Sequence, residues 1–302
     1  MRTRLRLALA LAPAAALVAA GLACTSGLTA EERPVEVKAD LVYASPGGSD
    51  LLLDLARPRG AKGPLPAVLV IHGGGWAAGS RKAHSDLIQL LAQRGYVAAT
   101  VQYRFAPLNP WPAQIQDVKA AVRWLRSSAS TYGIDPAKVG AIGFSAGAHL
   151  AMLLGATDPK DHLEGDAGPR APSSKVQAVV SWFGPTDLAS SDYPEGARLL
   201  IQGLLGLGSA DGAAGASPIR YLDKGDAPML LLHGTKDRVV PVSQATSMSD
   251  ALTKAGVPGE VHLLMGADHG WNGALLADTV EDSIRWFDRH LKGVVPKLPA
   301  LR

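Results

Sequence analysis

A serine between two glycines, Gly143-Phe144-Ser145-Ala146-Gly147, lies where the apolar run Lys138–Phe144 meets an alanine-rich stretch. Much later in the chain come Asp237, in "HGTKDRVVP", and His269, in "GADHGW". A hydroxyl, a carboxylate and an imidazole suffice for covalent acyl transfer: the imidazole takes the hydroxyl proton and the carboxylate holds the imidazole in the right tautomer. The Gly-x-Ser-x-Gly spacing suits a nucleophile elbow, a strand–turn–helix junction that crowds the residues two away on either side of the serine. Glycine at 143 and 147 relieves that crowding. The bland alternative is a serine N-cap on a Gly/Ala-rich helix. A fourth group is "HGGGW", His72–Trp76, after the apolar run "AVLVI". Three glycines let backbone N–H groups approach a developing oxyanion, and the N–H of Ala146 adds another donor. The spacing matches neither phosphate-binding glycine loop, G-x-x-x-x-G-K-[ST] or G-x-G-x-x-G.

Competing residues have blander readings. Asp268 adjoins His269 and is expected to be a loop residue; Asp187, in "GPTDL", is the reserve acid. His72 is expected to order its loop, His149 to point along the helix behind the elbow, and His262 to be structural. His84 and His162 are placed on surface segments. No His/Asp/Glu cluster has metal-site spacing, so neither a metal nor a cofactor is expected.

The elements that must position these groups alternate between strand and helix. "VEVKADLVYA" and "LLLDLARP" read as an opening antiparallel pair, followed by strands at "PAVLVIH", "YVAATVQY", "KVGAIGF", "VQAVVSWFG", "APMLLLHG" and "GEVHLLM". Helices are expected near His84–Arg94, over Ala113–Ser128 and Ala146–Gly155, and near Ser243–Ala255 and Ala274–His290. The strands are apolar on both faces, which predicts an α/β fold: an eight-stranded, mostly parallel sheet with helices on both faces. Ser145, Asp237 and His269 then all lie past carboxyl ends of strands, where open parallel sheets bind ligands. The irregular segment 189–226 is a possible cap over a pocket.

One catalytic domain is expected over 35–294, with a C-terminal tail over 295–302. The chain of 302 residues opens with Arg2, Arg4 and Arg6, then a small apolar run ending at Cys24, its only cysteine. Residues 1–23 read as a secretory signal peptide and 24–34 as a tether. "GLAC" resembles a lipobox with Gly21 in place of the usual leucine; the alternative is cleavage near Ala23 or Ala30. The expected destination is the periplasm or cell surface as a lipoprotein attached to the membrane through lipidated Cys24, or secretion. The 30 basic residues, less the three leader arginines, leave 27 against 27 acidic ones, and no basic patch calls for nucleic acid.

Taken together, "HGGGW", "QYRFAP", "WPAQIQDVKAAVRWL", "GIDPAKVGAIGFSAGAHLA", "HGTKDRVVPV" and "GADHGW" resemble the α/β-hydrolases, specifically small bacterial carboxylesterases of the acetylxylan/feruloyl-esterase-like group related to hormone-sensitive-lipase-like esterases. The departures are Phe144, where hormone-sensitive-lipase relatives often have Asp, and Asp268, where Gly is common. The resemblance implies an α/β-hydrolase fold with Ser145 as nucleophile, His269 as general base and acid, and Asp237 as its orienting acid. It further implies oxyanion donors at Gly74, Gly75 and Ala146, and a short-acyl or aromatic-acyl ester substrate, free or carbohydrate-linked. Trp76, Trp111, Trp182 and Trp271 flank the site loops; Trp76 and Trp271 are the candidate pocket residues. Alternatives are an arylformamidase-like amide hydrolase, a prolyl-oligopeptidase-like peptidase, and a non-catalytic binding module on a hydrolase scaffold.

Overall fold

The computed structural model describes residues 33–206 and 210–294. The signal, lipidation and tail expectations, Cys24 included, lie outside them. In chain order the elements are β1 (Val35–Ala44), β2 (Leu51–Pro58), β3 (Leu65–Ile71), α1 (Ser85–Gln93), β4 (Val97–Val101), α2 (Ala113–Ser127), α3 (Ala129–Tyr132), β5 (Ile134–Phe144) and α4 (Ala146–Ala156). There follow β6 (Ala178–Trp182), α5 (Glu195–Leu205), α6 (Ala210–Gly215), β7 (Met229–Gly234), α7 (Ser243–Ala255), β8 (Gly259–Leu264) and α8 (Gly273–Lys292).

The strands form one sheet in the order β1-β2-β4-β3-β5-β6-β7-β8. The β1–β2 and β2–β4 pairings are antiparallel; the other five are parallel. Successive residues of a strand point to opposite faces, and both faces here are covered. Leu69 and Ile71 of β3 join a core with Ile115, Val118 and Val122 of α2, Leu150 of α4, and Met248 and Leu252 of α7. Val68 and Val70 face the other way, onto Ile88 and Leu91 of α1 and Phe287 and Leu291 of α8. This is the expected α/β-hydrolase architecture, and it explains why its strands lack a polar alternation. β5 begins earlier than the apolar run alone suggests, because Leu65 pairs with Ile134 across a register shift.

His72, His84 and His149 are among the histidines sealed into this frame. His149 is fully buried, and His72 and His84 nearly so. The placement of His84 on the surface was wrong: its ring stacks on Phe144 with centroids 4.0 Å apart, tucked beneath the elbow. Burial lowers all three from the ordinary imidazole value of 6.5 to about 4. The neutral form is therefore native. Unfolding lets each ring protonate near pH 6.5, whereas the folded ring resists protonation down to about pH 4. Their contribution to stability is complete above pH 6.5, falls as pH drops toward 4, and is flat below. Each group changes stability by up to about 1.4 kcal/mol per pH unit in that window. Urea denaturation at pH 7.5, 6 and 5 is expected to show a steep, progressive loss of stability; a flat response across that range would contradict the buried neutral rings.

Candidate active site

β5 enters the elbow and α4 leaves it, with Ser145 between them at φ 54° and ψ −119°. A non-glycine residue in this region costs about 1–3 kcal/mol. Its neighbours show how the strain is held. A Cβ on Gly143 would lie 2.1 Å from the Gly147 carbonyl oxygen, and one on Gly147 would lie 2.2 Å from the Ile71 carbonyl oxygen. Both positions therefore require glycine, and the elbow packs directly against the end of β3. The Ser145 N–H is anchored to the Trp182 carbonyl at 2.9 Å.

The loop beyond β7 carries Asp237 and the loop beyond β8 carries His269. A Cβ on Gly234 would sit 2.4 Å from the Ala267 carbonyl oxygen, so glycine there lets the two loops close on one another. His269 Nδ1 is 2.8 Å from Asp237 Oδ2, and His269 Nε2 is 3.0 Å from Ser145 Oγ. A carboxylate can only accept, so Nδ1 carries the proton and the Nε2 lone pair faces the serine hydroxyl. The Asp237 side chain is fully buried, and its Oδ1 accepts the N–H groups of Val239 and Val240 at 2.8 and 2.9 Å. Burial pushes the carboxyl pKa up, but the hydrogen bonds from His233, His269 and the Val240 N–H outweigh it and hold the group well below the usual carboxylate range. It stays ionised.

The reserve acid is elsewhere. Asp187 accepts from the Ala189 N–H and faces the Ser217 hydroxyl at 3.4 Å, making no contact with His269. Asp268 bonds the Arg238 main chain and side chain and the His269 N–H. It steadies the loop without touching the imidazole.

The His72–Trp76 loop runs alongside the elbow. A Cβ on Gly73 would be 3.2 Å from Ser145 Cβ. Gly74, Gly75 and Trp76 have φ values of 115°, 58° and 59°, turning the loop's N–H groups in succession. Those of Gly74, Gly75 and Ala146 find no backbone acceptor among the described residues. Gly75 and Ala146 line a cavity with Ser145, whereas Gly74 lies one step back, its carbonyl taking the N–H groups of Ala77 and Ala78. His72 orders the loop: its Nδ1 meets the Gly73 carbonyl at 2.7 Å and its ring stacks on Tyr103, whose hydroxyl bonds the His72 carbonyl. Arg104, two residues into "QYRFAP", forks onto buried Asp117 and fixes that supporting segment to α2.

The cavity beside Ser145 is small, about 30 Å³, and is walled by Trp76, Pro185, Tyr193, Ala197, Leu200, Ile201, Val239 and Val240. Helix α5 provides three of those residues. Segment 189–226 is therefore not irregular throughout: α5 lies within it, and Ala197, Leu200, Ile201 and Leu204 recur at helical spacing. Trp76 lines the wall. Trp271 does not: it stacks on Trp182 at 5.0 Å and donates to Thr279 Oγ1, because its loop turns the indole inward under Phe183. Phe183, which the sequence reading passed over, packs 4.6 Å from the His269 ring, at φ 44°. His149 also does more than run along its helix. Trp76 Nε1 donates to its Nδ1 at 3.2 Å, and its Nε2 meets the Ala216 carbonyl at 2.6 Å. It ties the glycine loop and the segment after α6 to the elbow helix.

Esterase LipQ of Mycobacterium tuberculosis is 35% identical over 227 residues, covering 72% of this chain and 53% of its own length. The chain spans about half the length of the curated relatives it matches. Among solved structures, a truncated carbohydrate esterase from gut microbiota superposes with a TM-score of 0.74 at 29% identity, over 85% of this chain and 98% of that one. An esterase of Thermogutta terrifontis, Est2, with propionate bound gives 0.74 at 27% identity, over 89% and 98%. The BD-FAE family pattern matches residues 53–252, a span that holds Ser145 and Asp237 and stops short of His269. With two thirds of its length matched and the eight-stranded sheet in place, the chain belongs to the BD-FAE family of the α/β-hydrolase fold.

Proposed function

We propose that this protein is a serine carboxylic ester hydrolase acting on small, uncharged acyl groups. The observation that carries this reading is the unbroken hydrogen-bonded series Asp237–His269–Ser145, ending beside unpaired N–H groups at the mouth of an apolar cavity. In the first step Ser145 Oγ attacks the ester carbonyl carbon while His269 Nε2 takes the hydroxyl proton. The tetrahedral oxyanion is received by the N–H groups of Gly75 and Ala146, with that of Gly74 behind them. Each such donor supplies about 3–4 kcal/mol of transition-state stabilisation. Collapse returns the proton to the departing alcohol and leaves an acyl-serine. Water, deprotonated by the same imidazole, then releases the acid. Asp237 remains ionised throughout and stabilises the imidazolium.

The wall residues limit the acyl group. None carries a charge, and Leu200 and Ile201 of α5 line the same space as Ser145. The apolar, closely walled space beside Ser145 favours short acyl groups over long chains. The Thermogutta relative with propionate and with butyrate bound supports a short acyl group, and the carbohydrate-esterase relative supports a sugar-linked ester as the alcohol side. A panel of p-nitrophenyl esters is expected to show kcat/KM falling at least about ten-fold from acetate or propionate to octanoate, one decade for each 1.4 kcal/mol of misfit. Leu200→Ala is expected to narrow that gap. Equal turnover of all chain lengths would refute the cavity as the acyl site. Acetylated xylan and feruloyl esters test the alcohol side, and arylformamides and peptides test amide cleavage; preference for an amide would overturn the ester reading.

We also propose export, on the strength of the basic, small-apolar leader ending at Cys24. Mass spectrometry of the mature chain is expected to find a lipid-modified Cys24; an unmodified start beyond that residue would rule the anchor out.

A further inference from the structure

We propose that His233 is a positioning residue for the reaction, a second imidazole beside the Asp237 carboxylate, acting on Ser145 through Asp237 and His269. This rests on the triad reading above. His233 is the penultimate residue of β7, buried to 1% exposure. Its Nε2 lies 3.3 Å from Asp237 Oδ2 and 2.9 Å from the Val240 carbonyl oxygen. Both partners are pure acceptors, so Nε2 carries the proton, which is given to the Val240 carbonyl with Asp237 Oδ2 alongside.

Asp237 Oδ2 takes the His269 N–H and has the His233 Nε2–H beside it at 3.3 Å, while Oδ1 takes two backbone N–H groups. Three donors and the neighbouring His233 imidazole surround a carboxylate whose side chain has no solvent exposure. Ionised acceptors form stronger hydrogen bonds than neutral ones, and a buried carboxylate short of donors is costly. His233 does two things here that a backbone amide cannot. It lies against the same oxygen that holds His269, which restricts rotation of the carboxylate about its last bond. It also comes from the rigid sheet, whereas Asp237 comes from a loop, so the loop-borne acid is referenced to β7. The bond to Val240 closes the turn on the same donor.

A purely structural role would consist of the Val240 bond alone, and a double-mutant cycle separates the two. His233→Leu, with His233→Asn as a polar replacement too short to reach the Nε2 position, is expected to lower kcat roughly ten-fold with KM within about two-fold of wild type. His233→Gln, whose amide N–H reaches that position, is expected to recover most of the loss. In an Asp237→Asn background the carboxylate is gone, and the same His233 substitutions are expected to cost less than about two-fold. An equal cost in both backgrounds would assign His233 to the turn alone and overturn the proposal. So would a Gln variant as impaired as Asn. A fluorophosphonate probe on the wild-type chain distinguishes the deeper failure: no labelling of Ser145 would remove the triad reading and this proposal with it, whereas labelled wild type with an additive cycle refutes only the role of His233.

Discussion

Ser145→Ala is expected to lower kcat on p-nitrophenyl acetate by about 10⁶-fold and to abolish labelling by a fluorophosphonate probe. The magnitude follows from what the substitution leaves behind. Without the hydroxyl no acyl-enzyme forms, and His269 and Asp237 are left polarising a proton that is no longer there. The cavity and the N–H groups of Gly75 and Ala146 survive, so binding persists and a residual rate of roughly 10³–10⁴ over water is expected from them alone. The variant should be at least as stable as wild type, because alanine carries no hydroxyl and the strained φ of 54° persists in either case. Loss of activity with an unchanged melting temperature would thus report chemistry and not unfolding. Labelling that survives the substitution would refute the assignment of the nucleophile.

Asp237→Asn is expected to cost roughly 10⁴-fold in kcat at neutral pH. The surroundings of the carboxylate explain why so small a change is so damaging. The N–H groups of Val239 and Val240 both point at Oδ1, which forces the carboxamide oxygen of Asn into that position. Its NH₂ must then face His269 Nδ1 and His233 Nε2, where the native structure has an acceptor. His269 is driven to the tautomer protonated on Nε2, with no lone pair left for the Ser145 proton. Asp187→Asn, by contrast, is expected to leave kcat unchanged, because that carboxylate serves the Ala189 N–H and the Ser217 hydroxyl. A four-decade loss at 187 in place of 237 would reverse the choice of acid.

Much of this was legible in the sequence, for local reasons. Strand limits such as Val35–Ala44 and Leu51–Pro58, and a helix such as Ser243–Ala255, coincide with apolar runs and turn residues that act within a few positions. Ser145, Asp237 and His269 could be picked out as candidates because the fold delivers strand ends to one edge in a fixed order. What was missed depended on contacts between distant positions. The Trp76–His149 bond joins residues 73 apart, and the Trp182–Ser283 bond joins residues 101 apart; no local pattern encodes either. His84 looked like a surface histidine because its neighbours Arg81, Lys82 and Ser85 are polar, and only the ring of Phe144 shows why it turns inward. His233 and Asp237 share a spacing of four that was visible, but a strand end followed by a tight turn gives no helical face to make that spacing meaningful. Helix α5 was hidden by glycines and serines on either side of a short periodic stretch.

The imidazole of His149 has a consequence for how new specificities could arise. It is the bolt between a fixed engine and an exchangeable housing. The candidate triad lies at the sheet edge, while much of the cavity wall comes from the insertion between β6 and β7, which the His149 ring nitrogen on the Ala216 carbonyl and the Ala227 N–H on the Gly155 carbonyl join to the elbow helix. A grafted insertion from another member of the fold is expected to need a carbonyl at that point to meet the His149 ring, so that the cavity wall changes while the candidate triad stays in place.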